Sequence, residues 1–338
     1  MHESLAPLRR VVGRLAPLET PADVAHAVSS LVESGQLDLP LPGAGNTALR
    51  YGALAEIAAV DLSLARLAEG HTDALAILAE AGRGARPGTY GVWAAEPPDA
   101  RVRAERVAAG FRLTGRKRFA SGARRLDRAL VTAEASDGGR LFDVDLRAGG
   151  VTVVPDTWQA VGMAATESLE VLFEGALVGE EARVGEAGFY LSRPGFWHGA
   201  VGVAACWYGG ALGAFRLLRH RLRAGSARPD EHQLAHLGAV AVTCGAMRSA
   251  LDVAAANIDG DPLDHLREAH ARALQVRQLV EQGCQEVLGR VGRAGGTSPL
   301  VFDRAHARRA ADLVVYLRQH HAERDLAELG RLVLAEEA

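Results

Sequence analysis

Two histidines stand where an imidazole would be useful. His198 lies in the apolar stretch Arg193–Gly199, and His320 follows Tyr316 by four residues in a polar stretch, Gln319–Asp325. On a continuous helix that spacing stacks Tyr316 and His320 on one face. A neutral imidazole, with an ordinary pKa of about 6.5, accepts a proton at neutral pH. The plainer expectation is a hydrogen-bonded core histidine at 198 and a solvated helix end at 320. His232 and His236 share a helical face, but neither an HExxH glutamate nor a third ligand accompanies them, so no metal is expected. No G-x-S-x-G and no local Ser-His-Asp set occurs. There remains LTGRKRFASGARRLDRALVTA, Leu113 to Ala133, which holds Lys117, the one lysine beside 37 arginines. The simplest reading of Lys117 is a strand lysine whose head snorkels to water or joins a salt bridge.

These residues need elements to position them, and 338 residues at 48% hydrophobic composition can supply a sizeable core. Residues 1–86 read as a helical domain. Thr47 is the expected N-cap of a helix through Leu54, Ile57, Leu64 and Leu67, with a break at Glu69–Thr72. The glycine-rich Pro42–Thr47 lacks the third glycine and the preceding strand of a dinucleotide fingerprint and reads as a turn. Residues 87–187 hold short β-rich runs separated by turn signals, which predicts an antiparallel barrel or sandwich. In the Lys117 strand the apolar residues 111, 113 and 119 fall on one face, together with Gly115 and Lys117. Residues 188–338 predict a four-helix bundle, with helices near 195–224, 230–258, 262–291 and 303–330. The fold class is therefore α+β.

A net charge of -3 gives no bulk attraction to nucleic acid. The arginines at 216, 219, 221 and 223 read as a solvated helix face or a phosphate contact. Cys206, Cys244 and Cys284 are far apart in apolar or helical sequence, which suits buried thiols in a reducing compartment. No apolar signal-peptide core is present. The uncharged run Gly199–Phe215 is short for a membrane span and reads as a packing helix. A cytoplasmic protein without a membrane partner is the expectation.

Helices, then strands, then a helical bundle is the order of the acyl-CoA dehydrogenase superfamily. Leu113, Gly115, Lys117, Phe119, Ser121 and Gly122 resemble that family's L-x-G-x-K-x-W-I-T-N-G segment, and Asp127 stands near its aspartate. Gly162–Gly175 resembles G-x-R-x-T-x-S-x-x-V-x-F, Glu231–Leu237 the start of a bundle helix, and Arg293–Gly296 a glycine pair before the last helix. The resemblance implies FAD as cofactor. Phe119 would wall the flavin ring, Ser121 would give a hydroxyl near its reactive edge, and Gly122 follows in the same motif. It also implies that Arg223 or Arg221 reaches the FAD of a neighbouring subunit and that Gly295 and Gly296 lie at the cofactor. A homodimer or homotetramer is then expected, with Gly199–Phe215 at the contact, and a small acyl substrate such as an acyl-CoA.

The departures bear on activity. The family's T-E-P-x-A-G-S-D reads Ala95–Val102 here and keeps only Glu96 and Pro97, so residues that help to hold the pyrophosphate are missing. The arginine of G-x-R-x-T is absent. Neither position of the family's catalytic glutamate holds a carboxylate: one falls near Val203, the other in Val315–His321. His320 and His198 are then the candidate bases. Desaturation of an acyl thioester is the leading expectation. The alternatives are a flavin-dependent monooxygenase, whose branch carries a histidine near this place, and a non-catalytic paralogue serving as a binding subunit.

Overall fold

The computed structural model describes residues 5–15, 17–225 and 228–336. Four helices come first: α1 (Ala6–Leu15), α2 (Pro21–Glu33), α3 (Thr47–Val60) and α4 (Leu62–Glu80). Thr20 and Asp23 form a reciprocal capping box at the start of α2. Asn46, rather than Thr47, occupies the N-cap of α3. The Thr47 hydroxyl instead accepts from Gly43 N and donates to Asp259 Oδ1 at 2.6 Å. The break expected at Glu69–Thr72 lies earlier, at Asp61, whose carboxylate accepts from Leu64 N at 2.8 Å and caps α4. Helix α4 runs on through Gly70, because tertiary contacts outweigh a single glycine's propensity. Next to that glycine, buried His71 accepts a hydrogen bond from Tyr90 N and ties α4 to the sheet. Burial pulls the His71 pKa down to about 4, which keeps the ring neutral.

The strands are β1 (Tyr90–Trp93), β2 (Val102–Val107), β3 (Gly110–Ala120), β4 (Arg128–Ala135), β5 (Gly138–Asp145), β6 (Val151–Val154), β7 (Leu169–Val178) and β8 (Arg183–Val184). They form one sheet in the order β6-β7-β3-β2-β4-β5-β8, with β1 also on β4. The sheet is mixed, where an antiparallel barrel or sandwich was expected: β1 and β2 both run parallel to β4. The reason lies between them. Pro97-Pro98 cannot continue a ladder, so the chain leaves β1 and re-enters the sheet as β2 further along β4.

Helices α5 (Phe189–Ser192), α6 (Gly195–Ala224), α7 (Glu231–Gly260), α8 (Ala269–Gly295), α9 (Ser298–Phe302), α10 (Arg304–Tyr316) and α11 (Glu323–Glu336) complete the described chain. The three long ones, α6 to α8, pack together as expected. The expected fourth is divided: α10 ends at Tyr316, a 3-10 turn spans Leu317–Gln319, and α11 starts at Glu323. The helices share one apolar core running from Leu5 to Leu317, so α3 and α4 pack against the same helices that form the bundle.

Helix α6 is the axis of that core. Its small residues were expected at a subunit contact, but they face α3 of the same chain. A Cβ on Gly209 would meet Ala55 O at 2.3 Å, and one on Gly213 would meet Ala59 O at 2.6 Å. Glycine here permits close helix contact. The arginine row of α6 is partly neutralised: Arg216 pairs with Glu56 through two bonds of 2.8 and 2.9 Å, and Arg221 pairs with Asp303. The three cysteines are free and buried, and burial raises their thiol pKa values, that of Cys244 to about 12.

Candidate active site

A cavity of about 1120 Å³ lies where α4, the loop after β1, the end of β3, the start of α6, the middle of α8 and the α10–α11 turn converge. Phe119 of β3 and Ser121, the first residue after it, line it. Strict alternation would turn Phe119 to the same face as Phe111 and Leu113, which are buried. The ladder with β7 is irregular between Lys117 and Ala120, and Phe119 takes a left-handed φ of 58°. This bulge turns the ring out of the sheet, and Phe119 is 55% exposed at the cavity wall. Ser121 sits in a relay of hydroxyls: the Thr166 hydroxyl donates to Met163 O at 2.7 Å, Ser168 lies 2.7 Å from Thr166, and Ser121 lies 2.9 Å from Ser168. Since Thr166 spends its proton on a carbonyl, Ser168 donates to Thr166 and Ser121 donates to Ser168. Ser121 therefore offers the cavity lone pairs, where a donor was expected.

Lys117 is wholly buried, so the solvated reading fails and the ion-paired one holds. Its ammonium donates to Thr132 Oγ1 at 2.7 Å, to Glu96 Oε1 at 3.3 Å and to Ala95 O at 3.3 Å. Ala94 to Pro98 line the cavity, so the lysine tethers that loop from beneath the sheet. Burial lowers the Lys117 pKa, and Glu96 opposes the shift. A Glu96→Gln variant is expected to lose roughly 1–3 kcal/mol at neutral pH, less than a fully buried pair because Glu96 is 37% exposed. Without Glu96 the folded-state pKa of Lys117 falls further. The unfolded chain then binds the proton more tightly, and stability rises with pH between the folded value and the ordinary 10.5. Urea unfolding at neutral and alkaline pH should show the deficit shrinking as pH rises; an equal deficit at both would remove the charge pairing.

Helix α4 presents Arg66, Glu69 and Asp73 to the cavity. Arg66 pairs with Glu69 at 2.5 Å. Desolvation raises the Glu69 pKa while Arg66 lowers it, and the net direction is upward. Arg193 pairs with Glu80 at 2.9 Å and lies 4.0 Å from Asp73. Asp73 can approach α6 because residue 199 is glycine, where a Cβ would meet Asp73 Oδ1 at 2.8 Å. The far wall is apolar and aromatic. Trp197 and His270 stack with centroids 3.9 Å apart, and Val203, Leu274 and Val315 lie nearby on the same lining.

The remaining expected residues do not gather here. His320 is buried beside the cavity without lining it. Its Nε2 meets Gln278 Oε1 at 2.7 Å, and its Nδ1 lies 3.0 Å from Asp325. The stacking on Tyr316 fails because the helix stops at Tyr316 and the 3-10 turn redirects the chain. Tyr316 and His321 line the cavity instead. His198 is buried with Nε2 3.0 Å from Pro262 O, while its neighbours Trp197 and Gly199 face the cavity. Gly122, at φ +73°, makes the turn after β3, and its N–H donates to Thr166 O at 2.7 Å. Arg223 lies about 30 Å along α6 from Val203, and Gly295 and Gly296 about 27 Å or more along α8 from Arg277. Among the described residues no cluster of three or more histidine, cysteine or carboxylate side chains is placed to hold a metal.

A flavin has a flat ring, a polar edge and an anionic tail. The exposed face of Phe119, the lone pairs of Ser121 and the size of the cavity fit the ring and its edge. The arrangement of helices, mixed sheet and helices around this cavity is consistent with an acyl-CoA-dehydrogenase-like fold and is shared by several solved structures. One such structure is methanesulfinate monooxygenase MsuC from Pseudomonas fluorescens. It is 21% identical over 99% of this chain and 98% of that one, with a TM-score of 0.80. FMN-bound TdsC from Paenibacillus sp. A11-2 is 20% identical over 99% and 98%, with a TM-score of 0.80. KijD3 in complex with dTDP is 18% identical over 98% and 95%, with a TM-score of 0.83. At these identities the likeness establishes the fold. No protein-family model and no curated protein matches the sequence.

Proposed function

We propose that this chain is a flavin-dependent monooxygenase acting on a small organic substrate held in the cavity beside Phe119. The observation that carries the reading is the wall where a dehydrogenase needs its base. Val203 stands at one position of the family's glutamate, and the Leu317–Gln319 turn at the other. Of the carboxylates that line the cavity, Glu69 is engaged by Arg66, Glu96 by Lys117 and Thr132, Asp325 by His321 N and Glu328 by Arg331, while Asp73 stands 4.0 Å from Arg193. Acyl desaturation, the leading expectation from sequence, requires a base to take a proton from carbon, and neither position of the family's glutamate supplies one, so the order of the two readings is reversed.

A reduced flavin held here would supply the two electrons by which one atom of O2 passes to substrate and the other leaves as water. The chain's own residues hold and shield. Phe119 would support a flavin ring, and Ser121 would offer its lone pairs to a donor at the ring's edge. The loop tethered by Lys117, with Trp158 and Met163, covers the cavity against water. We propose FMN as the flavin in place of FAD. The serine–aspartate pair that the resemblance links to the pyrophosphate is absent, and the similar structures of TdsC and KijD3 hold FMN. A homo-oligomer remains part of the proposal, because Arg223, Gly295 and Gly296 reach such a cavity only from a second copy. The apolar residues Leu234, Val242 and Val253 exposed on α7 offer a face for it.

Anaerobic titration of the flavin-loaded protein with short and long acyl-CoAs tests the reading. The flavin should stay oxidised with every one, and the reduced protein should consume O2. Bleaching by an acyl-CoA would restore the dehydrogenase.

A further inference from the structure

We infer that the substrate carries an anionic oxygen group, a carboxylate or equivalent oxyanion, that docks on Arg277 at the cavity wall. The inference rests on the reading of this cavity as the substrate site.

Arg277 projects from the middle of α8 and is 8% exposed. Its guanidinium lies 4.6 Å from the Trp207 ring centroid, stacked in cation–π contact. Nη1 donates to Ala200 O at 3.1 Å and Nη2 to Gln319 O at 2.7 Å. Those carbonyls belong to α6 and to the turn after α10, so three elements fix the plane of the group. The two bonds use two of its five N–H donors and neutralise none of its charge.

The other buried arginines show what is missing. Arg128 pairs with Asp143, Arg140 with Asp137, Arg193 with Glu80 and Arg272 with Glu268. Among the buried arginines of the described residues, Arg50 and Arg277 have no ion-pair partner, and of these two Arg277 lines the cavity. Asp325, the acidic group that acts on it most, accepts a hydrogen bond from His321 N at 3.0 Å and makes no ion pair with Arg277. Burial pulls the guanidinium down to about 10, so it remains charged at neutral pH. A buried charge without a counter-ion is unfavourable, and an entering oxyanion removes that penalty while gaining charge-assisted bonds. A charge so placed, preformed and open to a cavity, is built for a ligand.

The surroundings define the rest of the ligand. Leu274 lies one turn before Arg277 on α8, Val203 and Val315 come from α6 and α10, and Trp197 lies flat on His270. These surfaces suit an apolar or aromatic body. The class is a small carboxylate, or comparable monoanion, with a hydrophobic remainder.

A flavin phosphate is also an oxyanion, and the test separates the two. Calorimetry compares benzoate with the neutral benzyl alcohol, and measures FMN affinity separately, in wild type, Arg277→Met and Arg277→Lys. Wild type should prefer benzoate. Arg277→Met should weaken benzoate by about 100-fold and leave benzyl alcohol and FMN within about threefold. Arg277→Lys keeps the charge but not the fork, and should weaken benzoate by about tenfold, which preserves the test if the methionine variant misfolds. Equal binding of benzoate and benzyl alcohol overturns the inference. So does a loss confined to FMN, which would assign Arg277 to the phosphate. Arg277-dependent benzoate binding in a chain that takes up no flavin would keep the subsite and sink the flavoenzyme reading.

Discussion

Gly209→Val is expected to destabilise the protein by about 3 kcal/mol or more, a shift of roughly two orders of magnitude in the folding equilibrium. The new side chain has no room. A Cβ alone would come within 2.3 Å of Ala55 O, 2.6 Å of Ala58 Cβ and 2.8 Å of Ala55 Cα. Two of those atoms belong to the α3 backbone, which cannot rotate aside as a flexible side chain would. Helices α3 and α6 would have to separate across the main core. The matched control is Gly238→Ala on α7, where no atom lies within 4 Å of the added Cβ. That change should be neutral or stabilising by up to about 1 kcal/mol, the helix-propensity difference. Urea unfolding of both variants gives the comparison. A Gly209→Val midpoint equal to that of Gly238→Ala would refute the tight α3–α6 contact.

Phe119→Gly separates stability from function. Residue 119 has φ 58°, which is unfavourable for an aromatic residue by about 1–2 kcal/mol. Glycine relieves that strain and loses about 0.5–1 kcal/mol in strand entropy, so folding stability should change by less than about 1 kcal/mol. The ring itself, 55% exposed, adds little to the core. Flavin binding should suffer instead. Losing an aromatic face that becomes covered on binding is worth about 1.5–3 kcal/mol, a 10- to 100-fold rise in Kd. Fluorescence titration with FMN reads it directly. Unchanged affinity would detach Phe119 from the cofactor.

The elements of the fold are more legible in the sequence than the details of the cavity. The β-rich runs of the middle region all appear as strands, because period-two patterning and turn residues act locally. The long helices α6, α7 and α8 likewise lie close to where the sequence places them. What patterning could not show was where irregularities fall. The bulge at Phe119 comes from pairing with β7, distant in sequence. The 3-10 turn after Tyr316 depends on His320 finding Gln278 and Asp325. The parallel entry of β1 reflects the route from α4. Some signals were present and went unused. Asp61, followed by Leu-Ser-Leu, is a readable N-cap. With α4 begun there, Arg66, Glu69 and Asp73 fall along one face of an otherwise apolar helix and mark a polar wall. Arg277 has no such mark, since its distinction is the absence of a partner, which only packing shows.

The tether beneath the cavity loop has a further consequence for anyone handling the protein. Lys117 is the chain's single lysine and is wholly buried in β3. A lysine-specific protease therefore has one bond to cut in the entire polypeptide, and the native sheet hides it. Cleavage at that bond clocks the opening of β3 itself, undisturbed by fraying loops or termini. Reaction at the lysine ε-amine meets the same barrier: the one ε-amine is buried, and its modification reports that the strand carrying Phe119 has come apart.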